Sequence, residues 1–507
     1  MRYPLFTYVI GLEIHIQLKT RSKMFCRCSN DGENQPLNTT ICPICLGHPG
    51  TLPVMNKQAI KWGMRTALAL HCSIPPHSKF DRKNYFYPDL PKGYQISQYD
   101  QPIGKSGYLD IQMYGATEGQ RPEAHIRINR LHLEEDAAKL VHSPGANASL
   151  VDFNRSSTPL MEIVTEPDIT SPLEAKTFLQ ELRLLARSLN VSSADMEKGH
   201  LRCDANVSLK FEHAGVAVWT PISEIKNLNS FKAVEKALTY EAQRLYDEWV
   251  AGGEVTRRAH KITVGWDDTK ECTMLQRSKE EAHDYRYFPE PDLPPLHFSE
   301  EEVEIVKKSL PELPIAKRKR LIDQYGITHA DATLLVESEG YASFFEKSAS
   351  ELDEWLCSLE ACDDAFKTKT YKLLANWFIN KLPPALNAYS IALEECKVTP
   401  ENFGELIALI QDQKINSSAA QVVLEEMVET GAEPKHIMQE KNLEQVSDTS
   451  SIESACDTVL AANADAVSNY KAGKTTAIMF LVGQVMKEMK GKAQPEMVKT
   501  ILEKKLS

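Results

Sequence analysis

The chain has 507 residues, of which 42% are apolar and 25% charged, and a formal net charge of −12. A length of this kind exceeds one hydrophobic core and implies about two to four domains, while the composition excludes disordered, collagenous and membrane-embedded classes. The acidic total argues against a general nucleic-acid coat. The opening residues, MRYPLFTYVI, do not read as a leader, and no run of about eighteen apolar residues reads as a membrane span, so a cytoplasmic protein with no membrane partner is expected. Eleven cysteines, an odd count, fit a reducing compartment better than a disulfide framework.

In chain order, the first pattern is a strand over Tyr8–Leu18. Its side chains alternate between two faces. Ile10, Leu12, Ile14, Ile16 and Leu18 make an apolar face, and Glu13, His15 and Gln17 point the other way. A carboxylate beside an imidazole on a polar strand face suits a divalent cation. The next feature is a cysteine quartet, Cys26 and Cys28 followed by Cys42 and Cys45. Two close pairs of thiolates joined by a loop match a four-cysteine zinc site, and four protein ligands leave no open position, so the role is structural. His48 stands by as a possible substitute ligand.

A second alternating run, His125–Leu133, ends in Glu134, Glu135 and Asp136, and Glu162 stands alone within Leu160–Val164. A lone glutamate in such a run is costly to bury without a partner. Ser171-Pro172-Leu173-Glu174 reads as a capping box with proline in the first helical position, opening a helix that carries Phe178, Leu182, Leu185 and Leu189. The strand His200–Phe211 repeats the earlier pattern: Leu201, Cys203, Ala205, Val207 and Leu209 inward, Arg202, Asp204, Asn206 and Ser208 outward. A helix from about 230 to 249 follows. If these polar faces share one cleft, their carboxylates repel unless a cation sits among them, and magnesium bridging to nucleotide phosphates is the usual answer.

The proline-rich segment 289–295 is neither helix nor central strand, which places a domain boundary at residue 296. Residues 297–432 are helical in pattern, Gly431–Pro434 is a second punctuation, and 433–507 reads as a small helical tail. Charge is uneven here. Ile391–Leu460 holds fourteen acidic against four basic residues, and Lys471–Ser507 holds eight lysines against three glutamates, which suggests a local polyanion contact. No P-loop is present. Ala472-Gly473-Lys474-Thr475 looks like the end of one, but Ser468 stands where its first glycine belongs.

The longest motifs are Gly11–His15, Pro43–Pro53, Phe80–Gly104, Arg130–Asp136, Leu150–Asp168, Met196–Ser208, Glu224–Ser230 and Asp284–Asp292, joined in the tail by Val482–Lys487 and Lys490–Ala493. On these the chain resembles the B-subunit (GatB/GatE) family of bacterial aspartyl/glutamyl-tRNA(Asn/Gln) amidotransferases along nearly its whole length. The resemblance implies an α+β architecture: an antiparallel, glutamine synthetase-like cradle over 1–296, a helical domain over 297–432 and a helical, tRNA-binding tail over 433–507. It implies that ATP phosphorylates the side-chain carboxylate of glutamate or aspartate on a misacylated tRNA, and that ammonia then displaces the phosphate. An amidase A subunit and a small C subunit are the implied partners.

By the same resemblance, His15, Glu135 and Glu162 hold magnesium with Glu13 nearby, and Glu13, His15, Glu135, Glu162 and Asp204 form the catalytic set. Asp204 and Glu224 take a second metal or guide ammonia. Lys83, Lys92 and Arg202 are candidate ATP-phosphate contacts. Tyr85, Phe86 and Tyr87 are expected to pack rather than to stack on a base. Lys471, Lys474, Lys487, Lys490 and Lys492 would meet the tRNA backbone, adding salt-sensitive affinity without sequence readout. Two rivals stand beside this reading. A stand-alone ATP-dependent ligase for a small acid has no need of a basic helical tail. A zinc-stabilised RNA scaffold has no need of an acidic, histidine-bearing face.

Overall fold

Alternation of apolar and polar residues builds the largest feature. Among the described residues it is a sheet of nine strands: β1 (Phe6–Gln17), β2 (Gly104–Gln112), β3 (Glu123–Glu135), β4 (Pro159–Thr165), β5 (Leu201–His213), β6 (Val216–Trp219), β7 (Ile222–Leu228), β8 (Lys261–Asp267) and β9 (Cys272–Lys279). Their spatial order is β9-β8-β7-β5-β1-β4-β3-β2, with β6 paired to β5 outside that path. The structure, a computed structural model, describes residues 6–113, 121–142, 148–213, 216–251, 261–279, 285–357, 363–445, 449–471, 476–489, 493 and 495–506.

The expectation of an antiparallel sheet needs one correction. β7 and β8 run parallel, so the sheet is mixed. Parallel neighbours need a crossover rather than a hairpin, and the helix α3 described below lies in that connection.

The apolar face predicted for β1 is the core: Ile10, Leu12, Ile14, Ile16 and Leu18 are each at most 1% exposed. The inward residues of β5 are buried beside them. Each leucine, isoleucine or valine among them contributes about 2 kcal/mol by leaving water. Three helices close this face: α1 (Lys57–Ala69), which packs on β2 and β3, α2 (Pro172–Ser188) and α3 (Phe231–Val250). Phe178, Leu182, Leu185 and Leu189 are buried as their helical spacing requires. Ser171 caps α2 by accepting from the Glu174 N–H at 3.2 Å. The return bond of a capping box is displaced by one residue, because the Glu174 carboxylate accepts from Thr170 N at 2.8 Å and pairs with Arg121.

The chain divides into two compact units, Met1–Ala316 and Lys317–Ser507. The first therefore continues about twenty residues beyond the expected boundary at 296. A fourth helix, α4 (Glu300–Lys308), packs on α1 and buries Val306 in the core of the first unit. Every described element lying wholly within the second unit is helical. That unit holds two hydrophobic clusters, one spanning Leu321 to Met438 and one spanning Ile452 to Leu506. Gly431 ends the helix Ser417–Thr430 in the left-handed conformation (φ 79°), but the next helix, Pro434–Glu440, still buries Ile437 and Met438 in the first cluster. The turn residues mark a stop in one helix rather than the edge of a core. Among the described residues, no helix is long and apolar enough to cross a membrane.

Candidate active site and metal centres

The polar face of the sheet gathers its chemistry by strand register. Glu13 of β1 lies opposite Asp204 of β5, and His15 lies opposite Arg202. On the other flank of β1, His15 lies opposite Glu162 of β4, and Glu162 in turn lies opposite His132 of β3. His15, Glu134 and Glu162 offer ligand atoms that all lie within 4.8 Å of one another. His15 Nε2 is 3.6 Å from Glu134 Oε1 and 3.3 Å from Glu162 Oε2. His132 Nε2 is 3.0 Å from Glu162 Oε2 and 3.7 Å from Glu134 Oε2.

The expected trio contained Glu135; the structure places Glu134 there instead. The ladder between β3 and β4 shifts register between Ile128 and Arg130. Before this bulge the even-numbered residues Ala124, Ile126 and Ile128 face the core, and after it the odd-numbered Leu131 and Leu133 do. One extra residue turns every later side chain to the opposite face. His132 and Glu134 therefore reach the polar face, and Glu135 points away from it. The Glu135 carboxylate accepts from Ile96 N at 2.9 Å and from Lys92 Nζ at 2.7 Å. It anchors the strand Tyr94–Ser97.

Two carboxylates buried this close repel each other and resist leaving water. The imidazoles compensate. Burial opposes charge on His132, but Glu162 and Glu134 outweigh it and lift its pKa to about 9. His15 is raised in the same way, chiefly by Glu162 against burial. Burial also works against the Glu162 carboxylate, yet His132 and His15 hold it well below the usual range. Two carboxylate oxygens and one imidazole nitrogen, gathered within 4.8 Å of one another, make a donor set that fits a hard divalent cation. Lys83 sits beside this trio. Its ammonium lies 5.2 Å from the Tyr285 ring centroid, and Glu134 and Glu162 raise its pKa against the effect of burial.

The remaining predicted residues fall into neighbouring networks. Arg202 pairs with the buried Asp136, which also accepts from Gln17 Nε2 at 2.9 Å. Glu13 accepts from Asn206 Nδ2 at 3.1 Å. Asp204 accepts from Lys226 Nζ at 2.5 Å, and that ammonium is 3.6 Å from Glu224, which Lys261 approaches to 3.3 Å. Lysine ammonium groups thus stand beside the Asp204–Glu224 pair, which forms no metal-ligand group among the described residues. Lys92 is engaged by Glu135. Tyr85 is half-buried, whereas Phe86 and Tyr87 are 91% and 59% exposed, because they lie on a surface loop rather than on a strand.

The cysteine quartet converges. Cys26, Cys28, Cys42 and Cys45 have their sulfurs within 4.8 Å of one another, and Cys42 and Cys45 are 3.9 Å apart. A zinc tetrahedron with Zn–S bonds of about 2.3 Å has edges of about 3.8 Å, so the donor set and spacing fit that ion. A hydrogen bond from Cys26 and the backbone N–H of Cys42 draw the Cys45 thiol down to about 5, toward the thiolate that a metal takes. The ammonium of Lys23, 3.9 Å from Cys45 Sγ and buried, acts in the same direction. His48 lies outside the group. Of the tail lysines, Lys471 and Lys487 are exposed on helices, and Lys474, Lys490 and Lys492 lie outside the described residues.

Sequence reasoning overlooked His132, Ser97 and Lys23. His132 was legible: Leu131 and Leu133 flank it and place it on the same face as Glu134. Ser97 and Lys23 carry no local signal, since only the fold brings them to their partners.

Comparison with known proteins identifies the family. Residues 8–304 match the family profile of the GatB/GatE catalytic domain, and residues 361–506 match that of the GatB domain. The chain is 47% identical over 502 residues to a protein of Thermotoga sp. (strain RQ2) that is named as the B subunit of aspartyl/glutamyl-tRNA(Asn/Gln) amidotransferase, covering 98% of each chain. Proteins of the same name from Carboxydothermus hydrogenoformans and Brevibacillus brevis are 44% and 46% identical, again over 98% of each chain. With both profiles matched in order and full-length relatives at this identity, the chain belongs to the GatB/GatE family.

Proposed function

We propose that this chain is the ATP-using, tRNA-binding B subunit of an aspartyl/glutamyl-tRNA(Asn/Gln) amidotransferase. The observation that carries the reading is the trio His15, Glu134 and Glu162, its two carboxylates buried, on the polar sheet face of a chain so similar to proteins of that name. In this reading the mixed sheet is the glutamine synthetase-like cradle. An amidase A subunit supplies ammonia from glutamine, and a small C subunit ties the assembly together.

A carboxylate is a poor acceptor for ammonia, because its leaving group would be oxide. Transfer of the terminal phosphoryl group of ATP to one oxygen of the glutamyl or aspartyl side chain gives an acyl phosphate and ADP. Ammonia then attacks the carbonyl carbon and phosphate leaves, giving glutaminyl- or asparaginyl-tRNA. Phosphoryl transfer asks the protein mainly for positioning and charge neutralisation. Magnesium, held by His15, Glu134 and Glu162, supplies part of that neutralisation when bound. Ser97 Oγ, 2.9 Å from Glu134 Oε2, holds that carboxylate in place. Lys83 adds a cationic phosphate contact. Lys92 and Arg202 carry acidic partners and serve that role less directly. Zinc at the cysteine quartet keeps the loop 26–45 in one shape.

Purified with its A and C partners and given ATP, magnesium, glutamine and glutamyl-tRNA, the chain is expected to form glutaminyl-tRNA with one ADP for each amide. No product with either glutamyl- or aspartyl-tRNA, and no ATP consumed, would end the catalytic reading. In the tail, Lys471→Gln and Lys487→Gln are each expected to weaken tRNA binding. Each should also flatten the plot of log affinity against log salt by about 0.8. An unchanged slope would remove these lysines from the tRNA contact.

A further inference from the structure

His132 and His15 flank the same carboxylate from opposite sides, but they are not equivalent. The His15 side chain is 25% exposed and stands at the lip of the site, whereas the His132 side chain is 4% exposed. Both direct Nε2 at one oxygen, Glu162 Oε2, from 3.3 and 3.0 Å. The other ring nitrogen of His132, Nδ1, is buried and has no hydrogen-bond partner. An imidazole in this place merely to fill volume would do worse than an apolar side chain, because one polar nitrogen is left unsatisfied. Its polar attachments run to the two carboxylates, and the short one is to Glu162. Whether the ring is neutral or charged, a proton on Nε2 donates to that oxygen.

The other carboxylate of the trio has its own anchor, since Ser97 donates to Glu134 at 2.9 Å. Without His132, Glu162 would keep His15 as its only imidazole partner, and His15 is itself one of the proposed ligands. A ligating carboxylate left free to rotate binds a cation less well, because ordering it then falls on the binding step.

We infer that His132 is a positioning residue that pins Glu162 through Nε2 and thereby sets the affinity of the site for a divalent cation. This rests on reading His15, Glu134 and Glu162 as a cation site. The test is Mn²⁺ binding, followed by electron paramagnetic resonance, to the full chain purified with its partner subunits. Wild type is compared with His132→Gln, His132→Asn and His132→Leu, and with Glu162→Gln as a benchmark. A glutamine amide nitrogen reaches the place of Nε2, whereas an asparagine amide stops near Nδ1. The dissociation constant for Mn²⁺ should rise 10- to 100-fold in His132→Asn and His132→Leu and stay within about threefold of wild type in His132→Gln. Raising Mg²⁺ should restore amidated-tRNA formation in His132→Asn.

Should the leucine variant fail to fold, the glutamine–asparagine pair decides, since both are polar. Equal Mn²⁺ affinity in wild type, His132→Gln and His132→Asn overturns the inference, as does equal weakening in both variants, which would show a packing role. If Glu162→Gln binds Mn²⁺ as wild type does, the cation site itself is misread and the inference falls with it.

Discussion

Glu134→Gln is expected to lower amidated-tRNA formation by about 10³-fold or more, while Glu135→Gln acts mainly on stability. The two residues are neighbours on one strand, both almost completely buried, so composition and burial do not separate them. Orientation does. Glu134 shares the polar face with His15 and Glu162, and on the proposed reading an amide there would remove one of two anionic ligands from a hard cation. Losing metal-based charge stabilisation of several kcal/mol corresponds to that fall in rate. Glu135 instead accepts from Ile96 N and Lys92 Nζ. An amide at this position weakens two charge-assisted bonds and leaves the Lys92 ammonium short of its counter-charge, for about 1.5–3 kcal/mol of stability. Turnover and melting temperature of both variants, measured in parallel, form the check. A Glu134→Gln enzyme with wild-type turnover, or a Glu135→Gln enzyme that stays fully stable yet inactive, would restore the trio first expected from family resemblance.

The second large effect concerns the cysteine quartet. The loop 26–45 has little regular structure, yet it buries Cys26 and Cys45, and its neighbour Phe25 joins the core of the first unit. On the proposed reading, its shape depends on the zinc ion that would join the four sulfurs. Purified protein is expected to hold one zinc ion per chain by mass spectrometry and none in the double variant Cys42→Ser, Cys45→Ser. A structural zinc site linked to folding contributes on the order of 10 kcal/mol in small domains. Even about 4 kcal/mol here, at about 2–4 °C for each kcal/mol, lowers the melting temperature by about 10 °C. A metal-free chain melting with the wild type would show that the loop folds on its own contacts and that the thiols are merely adjacent.

How far the sequence alone reaches depends on the range of the interaction concerned. Alternation in β1 and β5 was enough to name the core residues and the two polar faces, because side chains on a strand have a period of two wherever the ladder is regular. The helix α2 announced itself through Ser171 and Pro172 and through apolar spacing, all set within a few residues. The cysteine quartet was legible because metal ligands cluster in sequence as well as in space. The family was legible because long motifs carry far more information than any single residue.

Tertiary structure decided what depends on register and on partners distant in the chain. A one-residue bulge near Asn129 chose Glu134 over Glu135, since a shift of one position moves each later side chain to the other face. Pairing of β1 with both β4 and β5 brought His15 between Glu162 and Arg202, which are 147 and 187 residues away in the chain. The parallel β7–β8 pair and the late unit boundary at Ala316 followed from where helices pack, and proline and glycine punctuation does not encode that. Strand patterns determine which residues share a face; only the completed sheet determines which faces meet.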